Sequence, residues 1–367
     1  MAKSNKFSIP AHYNIYTGEH NYRNLEVYFS EPEEGVNDQT GLLTLLPGFG
    51  GNAESNVYQK MRREFADQYN LIVIQSNYFG SEYMQSSNNS SFSMNIEYLS
   101  KLLSPEDFQK IKSGNLTTNQ ILEEISKYEC NVEANAQLKE DINSFNDMGF
   151  MQALDILTAV HAVKLILKDN QLSYDSNKTI IYGHSHGAFL AYLCNRLAPK
   201  EFDLIIDNSA WLKPVYLTSP RYLSQQIGKM KIHTKFDYYA RQVEYDKSIL
   251  NLPILYKDFT NQAMVWSFQG IDDNLVDYKE KEAFCNQLDQ SVFQLVEEAN
   301  LDNHIFNSTG HGLQADFLKM FELVMSKVTF REEKIKKETD SKIVIKHQHH
   351  TYEIEHSNKL PFMRVLK

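Results

Sequence analysis

Residues 179–197 of the 367-residue chain read TIIYGHSHGAFLAYLCNRL. The first four letters form an apolar run typical of a buried strand, and the last ten are typical of a buried helix. Between them lies GHSHG, a G-x-S-x-G motif with Ser185 at its centre. A strand and a helix that meet at so sharp a turn approach each other closely, which favours glycine on both sides. The stretch therefore predicts a strained turn with the Ser185 hydroxyl near the positive end of a helix dipole.

The same alternation of buried strands and helices continues on both sides of this stretch. The predicted strands are 24–30, 42–46, 71–75, 179–182, 204–206, 264–268 and 292–296, and the predicted helices are 57–69, 147–168, 186–197, 277–289 and 313–326. Continuous apolar strands that alternate with helices are typical of a parallel sheet covered on both faces. The predicted fold class is therefore α/β, with a mostly parallel central sheet flanked by helices.

Two segments interrupt this alternation and are predicted to be insertions. Residues 81–145 open with a polar stretch rich in Ser and Asn and continue with helix-start signals at Ser104 and Thr117. Residues 211–262 follow neither pattern. The predicted organisation is a catalytic domain over 1–330, a helical cap inserted at 81–145, a lid inserted at 211–262, and a C-terminal extension over 331–367 in which 342–346 and 352–356 pair as a hairpin.

A serine hydroxyl acts as a nucleophile only beside a base that a third group orients. An acidic residue at the carboxyl end of a later strand is a candidate for this third group. Residues 270–276 (GIDDNLV) follow a predicted strand and bring Asp272 and Asp273 to that position. Asp273 is the favoured acid. Asp272 and Asp207, which ends an earlier strand, are the alternatives.

The base is predicted from a late histidine flanked by glycines. Residues 309–312 (TGHG) come after the last predicted strand and before a helix, so His311 is placed to reach back over the sheet edge. His304, earlier in the same loop, is the alternative. The flanking glycines and the following helix favour His311.

A glycine-rich turn, PGFGG at 47–51, follows the second predicted strand. Such a turn can present a backbone N–H group to an oxygen that gains negative charge, and the residue after the nucleophile can supply a second. We therefore expect the main chains of Phe49 and His186 to form an oxyanion hole. The residues expected to line the substrate are Gly50, His184 and Trp211.

These four segments resemble those of the α/β-hydrolase superfamily of serine hydrolases. PGFGG resembles its oxyanion loop, GHSHG its nucleophile elbow, GIDDNLV its acid loop, and TGHG the terminal-histidine loop of the acyl-esterase and prolyl-oligopeptidase-like branches. The resemblance covers roughly residues 24–328 apart from the two insertions. It implies that Ser185 is the nucleophile, Asp273 the acid and His311 the base. Pro47, where many relatives have His, and the doubled acid depart from the pattern.

The resemblance implies a serine esterase that cleaves carboxylic esters without a cofactor. Both insertions leave the core at the carboxyl edge of the sheet, where they can roof the nucleophile. Their aromatic and hydrogen-bonding residues suit a polar, stackable alcohol, so a small-molecule ester with a short acyl group, such as an acylated carbohydrate, is the expected substrate. The aromatic residues concerned are Tyr78, Tyr83, Trp211, Tyr216, Tyr222, Tyr238 and Tyr239. A peptidase, a sugar acyltransferase and a catalytically silent binding protein are the alternatives.

The composition of the chain and its first residues restrict the expected binding partners and the expected cellular compartment. The net charge of −10 disfavours nucleic acid as a partner. The polar start of the chain and the lack of a continuous apolar run of 18 residues predict a cytoplasmic protein without a membrane partner. The three cysteines suit neither a disulfide framework nor a zinc site. No metal is expected at His184 and His186 or at the tail histidines, and the oligomeric state stays open. The whole chain also resembles a bacterial hydrolase-like group associated with surface-glycan loci.

Overall fold

The computed structural model of the protein describes residues 1–20, 22–84, 90–332, 341–357 and 359–366. Residues 85–89 of the polar stretch in the first predicted insertion, and 333–340 of the predicted extension, lie outside this set. The chain divides into a larger unit, which comprises Met1–Ser81, Asp147–Pro214 and Tyr245–Lys367, and a smaller unit, which comprises Glu82–Asn146 and Val215–Glu244.

The bounds of the regular elements follow in chain order. The strands are β1 (Lys3–Pro10), β2 (Asn24–Glu31), β3 (Gly41–Leu46), β4 (Leu71–Ser76), β5 (Ser90–Met94), β6 (Cys130–Leu138), β7 (Thr179–His184), β8 (Leu204–Asn208), β9 (Arg221–Ile227), β10 (Met230–Phe236), β11 (Met264–Gly270), β12 (Ser291–Val296), β13 (Lys342–His347), β14 (His350–Glu355) and β15 (Phe362–Leu366). The helices are α1 (Asn56–Tyr69), α2 (Ile96–Leu102), α3 (Pro105–Lys112), α4 (Thr118–Ile125), α5 (Phe150–Asp169), α6 (His186–Leu197), α7 (Leu252–Leu255), α8 (Tyr278–Cys285) and α9 (Phe317–Met325).

The larger unit is built on an eight-stranded sheet in the order β1-β2-β4-β3-β7-β8-β11-β12. β2 pairs antiparallel with β1 and β4, whereas the other neighbouring strands pair parallel. The predicted α/β class with a mostly parallel sheet is confirmed, and each predicted core strand is present. The apolar pattern does not predict β1, because this edge strand has the mostly polar and exposed sequence KSNKFSIP.

Helices cover both faces of this sheet. On β3, Leu43 belongs to an apolar cluster with Phe65 of α1 and Phe321 of α9. The next residue back, Leu42, belongs to a separate cluster with Val163 of α5. Successive side chains of a strand point to opposite faces, so one strand contributes to two cores. This double coverage explains why the strand sequences are continuously apolar instead of alternating.

Helix α5 is the core helix of the larger unit. By length and composition it could cross a membrane, but 83% of its 18-residue apolar window is buried inside the structure. Its Asp155 is fully buried and accepts hydrogen bonds from the Arg23 guanidinium and the Phe79 N–H, each at 2.8 Å. A buried carboxylate needs such partners to offset the loss of hydration. The helix is therefore held in place by polar as well as apolar contacts.

The smaller unit contains a four-stranded sheet in the order β5-β6-β10-β9, in which β6 and β10 pair parallel. Helices α3 and α4 begin at Ser104 and Thr117, as predicted. The sequence suggested a helical cap. The smaller unit instead contains helices and a sheet, in which strands from both inserted segments pair with each other. The second segment contributes only 215–244, and residues 245–262 group with the larger unit. Local periodicity could not reveal a strand pair joined across such a long separation in sequence.

The predicted C-terminal hairpin is present and is extended by a third strand. β14 pairs antiparallel with β13 and with β15. Two tail histidines contact the rest of the larger unit: His347 Nδ1 lies 2.5 Å from Asp246 Oδ2, and His356 Nε2 lies 2.9 Å from Leu197 O. Through these contacts the two histidines attach the C-terminal extension to the rest of the larger unit.

A buried carboxyl at the start of α5 predicts a pH-dependent stability. Asp147 accepts hydrogen bonds from the Tyr16 hydroxyl at 2.9 Å and the Met151 N–H at 2.8 Å. Burial, the largest influence, raises the pKa of Asp147 from 3.8 to about 7, although these hydrogen bonds lower it. Between these two pKa values the folded protein keeps a proton that the unfolded chain has lost, so the free energy of unfolding falls as pH rises.

We expect the Asp147→Asn variant to lack this dependence, because an asparagine oxygen can accept both hydrogen bonds without ionising. Its stability relative to the wild type should rise between pH 4 and pH 7, by at most about 1.4 kcal/mol per pH unit. Urea unfolding of both proteins across this range measures the difference. Parallel stability curves would show that Asp147 does not hold its proton in the folded state.

Candidate active site

Ser185 lies in the turn between β7 and α6, with φ 54° and ψ −118°. A positive φ is unfavourable for a residue with a side chain, so the surrounding structure has to maintain it. The adjacent glycines make the close approach possible. A Cβ at Gly183 would lie 2.4 Å from Ala188 Cα, and one at Gly187 would lie 2.4 Å from Pro47 O. The strained turn predicted from GHSHG is therefore present.

Ser185, His311 and Asp273 form one hydrogen-bonded chain. Ser185 Oγ lies 2.7 Å from His311 Nε2, and His311 Nδ1 lies 2.7 Å from Asp273 Oδ2. An ionised carboxylate can only accept hydrogen bonds, so Nδ1 carries the imidazole proton and donates it to Asp273. Nε2 is then free of a proton and accepts the hydrogen bond of the serine hydroxyl. This is the tautomer that a general base requires.

The Asp273 carboxylate is fully enclosed and has three further donors. Its Oδ2 accepts from Gln269 Nε2 at 2.6 Å, and its Oδ1 accepts from the N–H groups of Leu275 at 2.7 Å and Val276 at 3.1 Å. Burial acts most strongly on the pKa of Asp273 and raises it, but the hydrogen bond and charge of His311, with these other donors, outweigh it. The pKa therefore lies below its ordinary value, and the group is ionised at neutral pH.

The three alternative residues have other partners. Asp272 is exposed, and its Oδ2 accepts the Thr309 hydroxyl at 2.7 Å. Asp207 is fully buried, and its Oδ2 lies 2.5 Å from Lys281 Nζ. His304 is exposed, and its Nδ1 lies 2.8 Å from a lysine ammonium of α9. The structure thus brings Asp273 and His311 to the serine and leaves these alternatives outside the hydrogen-bonded chain.

The glycine-rich turn after β3 lies against the nucleophile turn. A Cβ at Gly187 would lie 2.5 Å from Leu46 O, so α6 begins directly on the end of β3. Gly50 has φ 86°, a conformation that glycine adopts readily. The Phe49 and His186 rings lie 5.5 Å apart, centroid to centroid. The first N–H groups of a helix, which include that of His186, have no acceptor within the helix.

His184 lies between this turn and the histidine loop. A Cβ at Gly48 would lie 2.6 Å from its Nδ1, and one at Gly312 would lie 2.5 Å from its Nε2. Burial, together with the charge of His311, lowers the pKa of His184 to about 4. A neutral imidazole therefore fills the space between the two loops, and neither glycine could carry a side chain without displacing it.

His186 and Trp211 form an aromatic cluster with Phe49 beside the nucleophile. The His186 ring lies 4.9 Å from the Trp211 ring, which lies 5.6 Å from the Phe49 ring. Burial lowers the pKa of His186 to about 3, so its imidazole is neutral. Its Nε2 lies 2.7 Å from Gln152 Oε1, an acceptor, and therefore carries the proton. The cluster is thus uncharged and fixed by one hydrogen bond to α5.

His184 and His186 do not converge on a common point for a metal, because one lies beside His311 and the other bonds to Gln152. Within the described ranges, no group of three or more His, Cys, Asp or Glu side chains is arranged to hold a metal ion.

Sequence reasoning missed several residues that support the site. They are Gln269, which donates to Asp273, Gln152, which accepts from His186, and Asn208 and Ser209, which contact the histidine loop. Gln152 carries a weak signal, since it is a polar residue in the mostly apolar first half of α5, but Asp155 and Thr158 of the same helix are polar too. The other three lie at strand ends, where polar residues are common and predict nothing by themselves.

The sheet order, the nucleophile turn after β7 and the enclosed Ser–His–Asp chain define an α/β-hydrolase fold. The chain belongs to the family described as "Protein of unknown function (DUF2920)", which matches residues 6–253. That match includes Ser185 and the turn at 47–51 and ends before Asp273 and His311. No curated protein matches the sequence.

Solved structures align with this chain at low sequence identity. An acylaminoacyl peptidase in complex with Z-Gly-Gly-Phe-chloromethyl ketone aligns with a TM-score of 0.50 and 11% identity, over 92% of this chain and 43% of that one. Est1E from Butyrivibrio proteoclasticus aligns with a TM-score of 0.43 and 12% identity, over 83% and 92%. A putative dienelactone hydrolase from Klebsiella pneumoniae subsp. pneumoniae MGH 78578 aligns with a TM-score of 0.45 and 12% identity, over 89% and 98%.

Proposed function

We propose that the protein is a serine esterase that cleaves carboxylic esters through an acyl-enzyme. The observation that carries the proposal is the continuous chain from Asp273 through His311 to Ser185, with both hydrogen bonds at 2.7 Å. The lowered pKa of Asp273 keeps its carboxylate ionised, as an acceptor for the Nδ1 proton of His311. A serine that served only as a turn residue would not need a buried, ionised carboxylate behind the neighbouring imidazole.

The reaction follows from this geometry. Ser185 Oγ attacks the acyl carbonyl carbon while its proton passes to His311 Nε2, and Asp273 stabilises the imidazolium that results. His311 then gives this proton to the departing alcohol oxygen, which leaves the acyl group on Ser185. Water gives a proton to the same Nε2 as it attacks the acyl carbon. The bond to Ser185 Oγ then breaks, His311 returns the proton to this oxygen, and the acid is released. The N–H groups of Phe49 and His186 are proposed to bind the oxyanion in both steps.

We further propose that the acyl group is short and that the alcohol is polar, with an acylated carbohydrate as the favoured kind. Support comes from Phe49, a partly exposed ring that packs on the buried rings of His186 and Trp211 next to the nucleophile turn. Aromatic faces next to hydrogen-bonding groups suit sugar rings better than long alkyl chains.

A turnover screen tests the proposal. It compares soluble acetyl esters and O-acetylated sugars with long-chain emulsified esters and with peptide amides, and uses the Ser185→Ala protein as the blank. We expect soluble short-chain esters to be turned over fastest, without activation at lipid interfaces. Faster turnover of emulsified long-chain esters would contradict the substrate class, and preferred cleavage of amides would favour a peptidase. Acyl transfer to an added sugar in place of hydrolysis would favour an acyltransferase.

A further inference from the structure

The turn that follows β8 is bonded to all three catalytic elements. The Ser185 N–H donates to Asn208 O at 2.8 Å, and the Ser209 N–H donates to Phe268 O of the acid-bearing strand at 2.9 Å. The Gly312 N–H donates to Ser209 Oγ at 3.1 Å, and Asn208 Nδ2 donates to Gly312 O at 3.3 Å. Asn208, the last residue of β8, and Ser209, the next residue, therefore bind the C=O and N–H groups of Gly312 through their side chains.

These two side chains are themselves held in one arrangement. Asn208 and Ser209 are fully buried, and the Ser209 hydroxyl donates to Asn208 Oδ1 at 3.1 Å. Ser209 has φ 57°, which for a residue with a side chain requires support from its surroundings. A hydroxyl whose donor and acceptor sites are both used in a buried position has little freedom to rotate.

A buried ion pair holds the start of the same turn. Asp207 Oδ2 lies 2.5 Å from Lys281 Nζ and accepts the Ser267 hydroxyl at 2.8 Å, while Oδ1 accepts the Ala210 N–H at 2.7 Å. Neither charged side chain of the pair has exposed surface. The Asp207 carboxylate thus connects the end of β8 to α8 and to β11. These contacts restrict movement of the main chain next to Asn208 and Ser209.

We propose that Asn208 and Ser209 are positioning residues that fix His311 relative to Ser185 through the main chain of Gly312; this rests on the proposed esterase function. His184 lies against Gly312 as well, because a Cβ at Gly312 would lie 2.5 Å from His184 Nε2, and it limits movement of Gly312 in that direction. The loop that carries His311 is also bonded to the loop that carries Asp273, because the Thr309 hydroxyl donates to Asp272 Oδ2. Without the two side chains, the loop would keep that bond, its internal bonds and the side-chain hydrogen bonds of His311, but its main chain would lose its attachment to the end of β8.

The test uses Ser209→Gly, which removes the hydroxyl and tolerates the positive φ, and Asn208→Asp, which keeps the acceptor but removes the donor to Gly312 O. Thr179→Val is the matched control, since it removes a buried hydroxyl at the opposite end of β7, which lies 2.6 Å from Asp203 Oδ2 and 2.7 Å from Glu201 O. We expect kcat to fall about 10- to 100-fold in each test variant with KM changed less than about threefold, since misplacing a catalytic group by 1 Å costs about 10²-fold.

A second readout separates positioning from general destabilisation. Hydrogen exchange in the histidine loop over 305–316 should speed up in both test variants and stay unchanged in Thr179→Val, whose kcat should match the wild type. Test variants with wild-type kcat, or with kcat lost only in proportion to the unfolded fraction, would overturn the positioning role. A wild-type protein inactive on every ester would instead contradict the proposed function and, with it, this role.

Discussion

Replacing Ser185 by alanine should lower ester turnover by about 10⁶-fold, the loss seen when a triad serine is removed from a serine hydrolase. The hydroxyl is the only group on the nucleophile turn that can form the acyl-enzyme in the proposed reaction. The residual rate would come from substrate binding and the oxyanion hole, which the substitution leaves in place. Steady-state turnover of a soluble acetyl ester by both proteins measures the effect.

This variant should fold normally. Alanine fits the same φ of 54° about as well as serine, and the substitution removes the side-chain hydrogen bond to His311 Nε2. Losing one such hydrogen bond costs about 1 kcal/mol of stability. An unchanged turnover in a folded Ser185→Ala preparation would rule out the acyl-enzyme mechanism.

The second large effect is expected at Asp273, where asparagine should lower turnover by about 10⁴-fold. Oδ1 already accepts the N–H groups of Leu275 and Val276, so the amide oxygen of the variant will occupy that position. Its NH₂ group then replaces Oδ2 and donates to His311 Nδ1. The imidazole proton must move to Nε2, which can no longer accept the proton of Ser185.

Asp272→Asn is the matched control, because it makes the same chemical change at the neighbouring residue. Asp272 is exposed, and its side chain accepts a hydrogen bond from the Thr309 hydroxyl, which an amide oxygen can also accept. We expect less than about a threefold change in turnover. The reverse ranking of the two variants would transfer the role of the acid to Asp272.

The sequence was sufficient to predict the main sheet and the neighbours of the nucleophile. Strands buried on both faces have continuously apolar sequences, and the glycines of GHSHG mark the close approach of β7 and α6. The acid loop and the glycine-flanked histidine then favoured Asp273 over Asp272 and Asp207, and His311 over His304. The structure places Asp273 and His311 in one hydrogen-bonded chain with Ser185.

What escaped prediction depends on contacts between distant segments. β6 pairs with β10 about a hundred residues later, and neither strand is apolar enough to be recognised alone. The contacts of Asn208 and Ser209 with Gly312 also join residues about a hundred positions apart. Such pairings follow from the folded arrangement, because a polar residue at a strand end is compatible with many partners.

Covalent labelling with a fluorophosphonate, mapped by peptide mass spectrometry, tests the central claim most directly. Such probes react with a serine hydroxyl that a base has activated, and they need no knowledge of the substrate. The proposed triad predicts one adduct, on Ser185, that forms in the folded wild-type protein and is abolished by denaturation or by His311→Ala. A folded wild-type protein that stays unlabelled at Ser185 would contradict it.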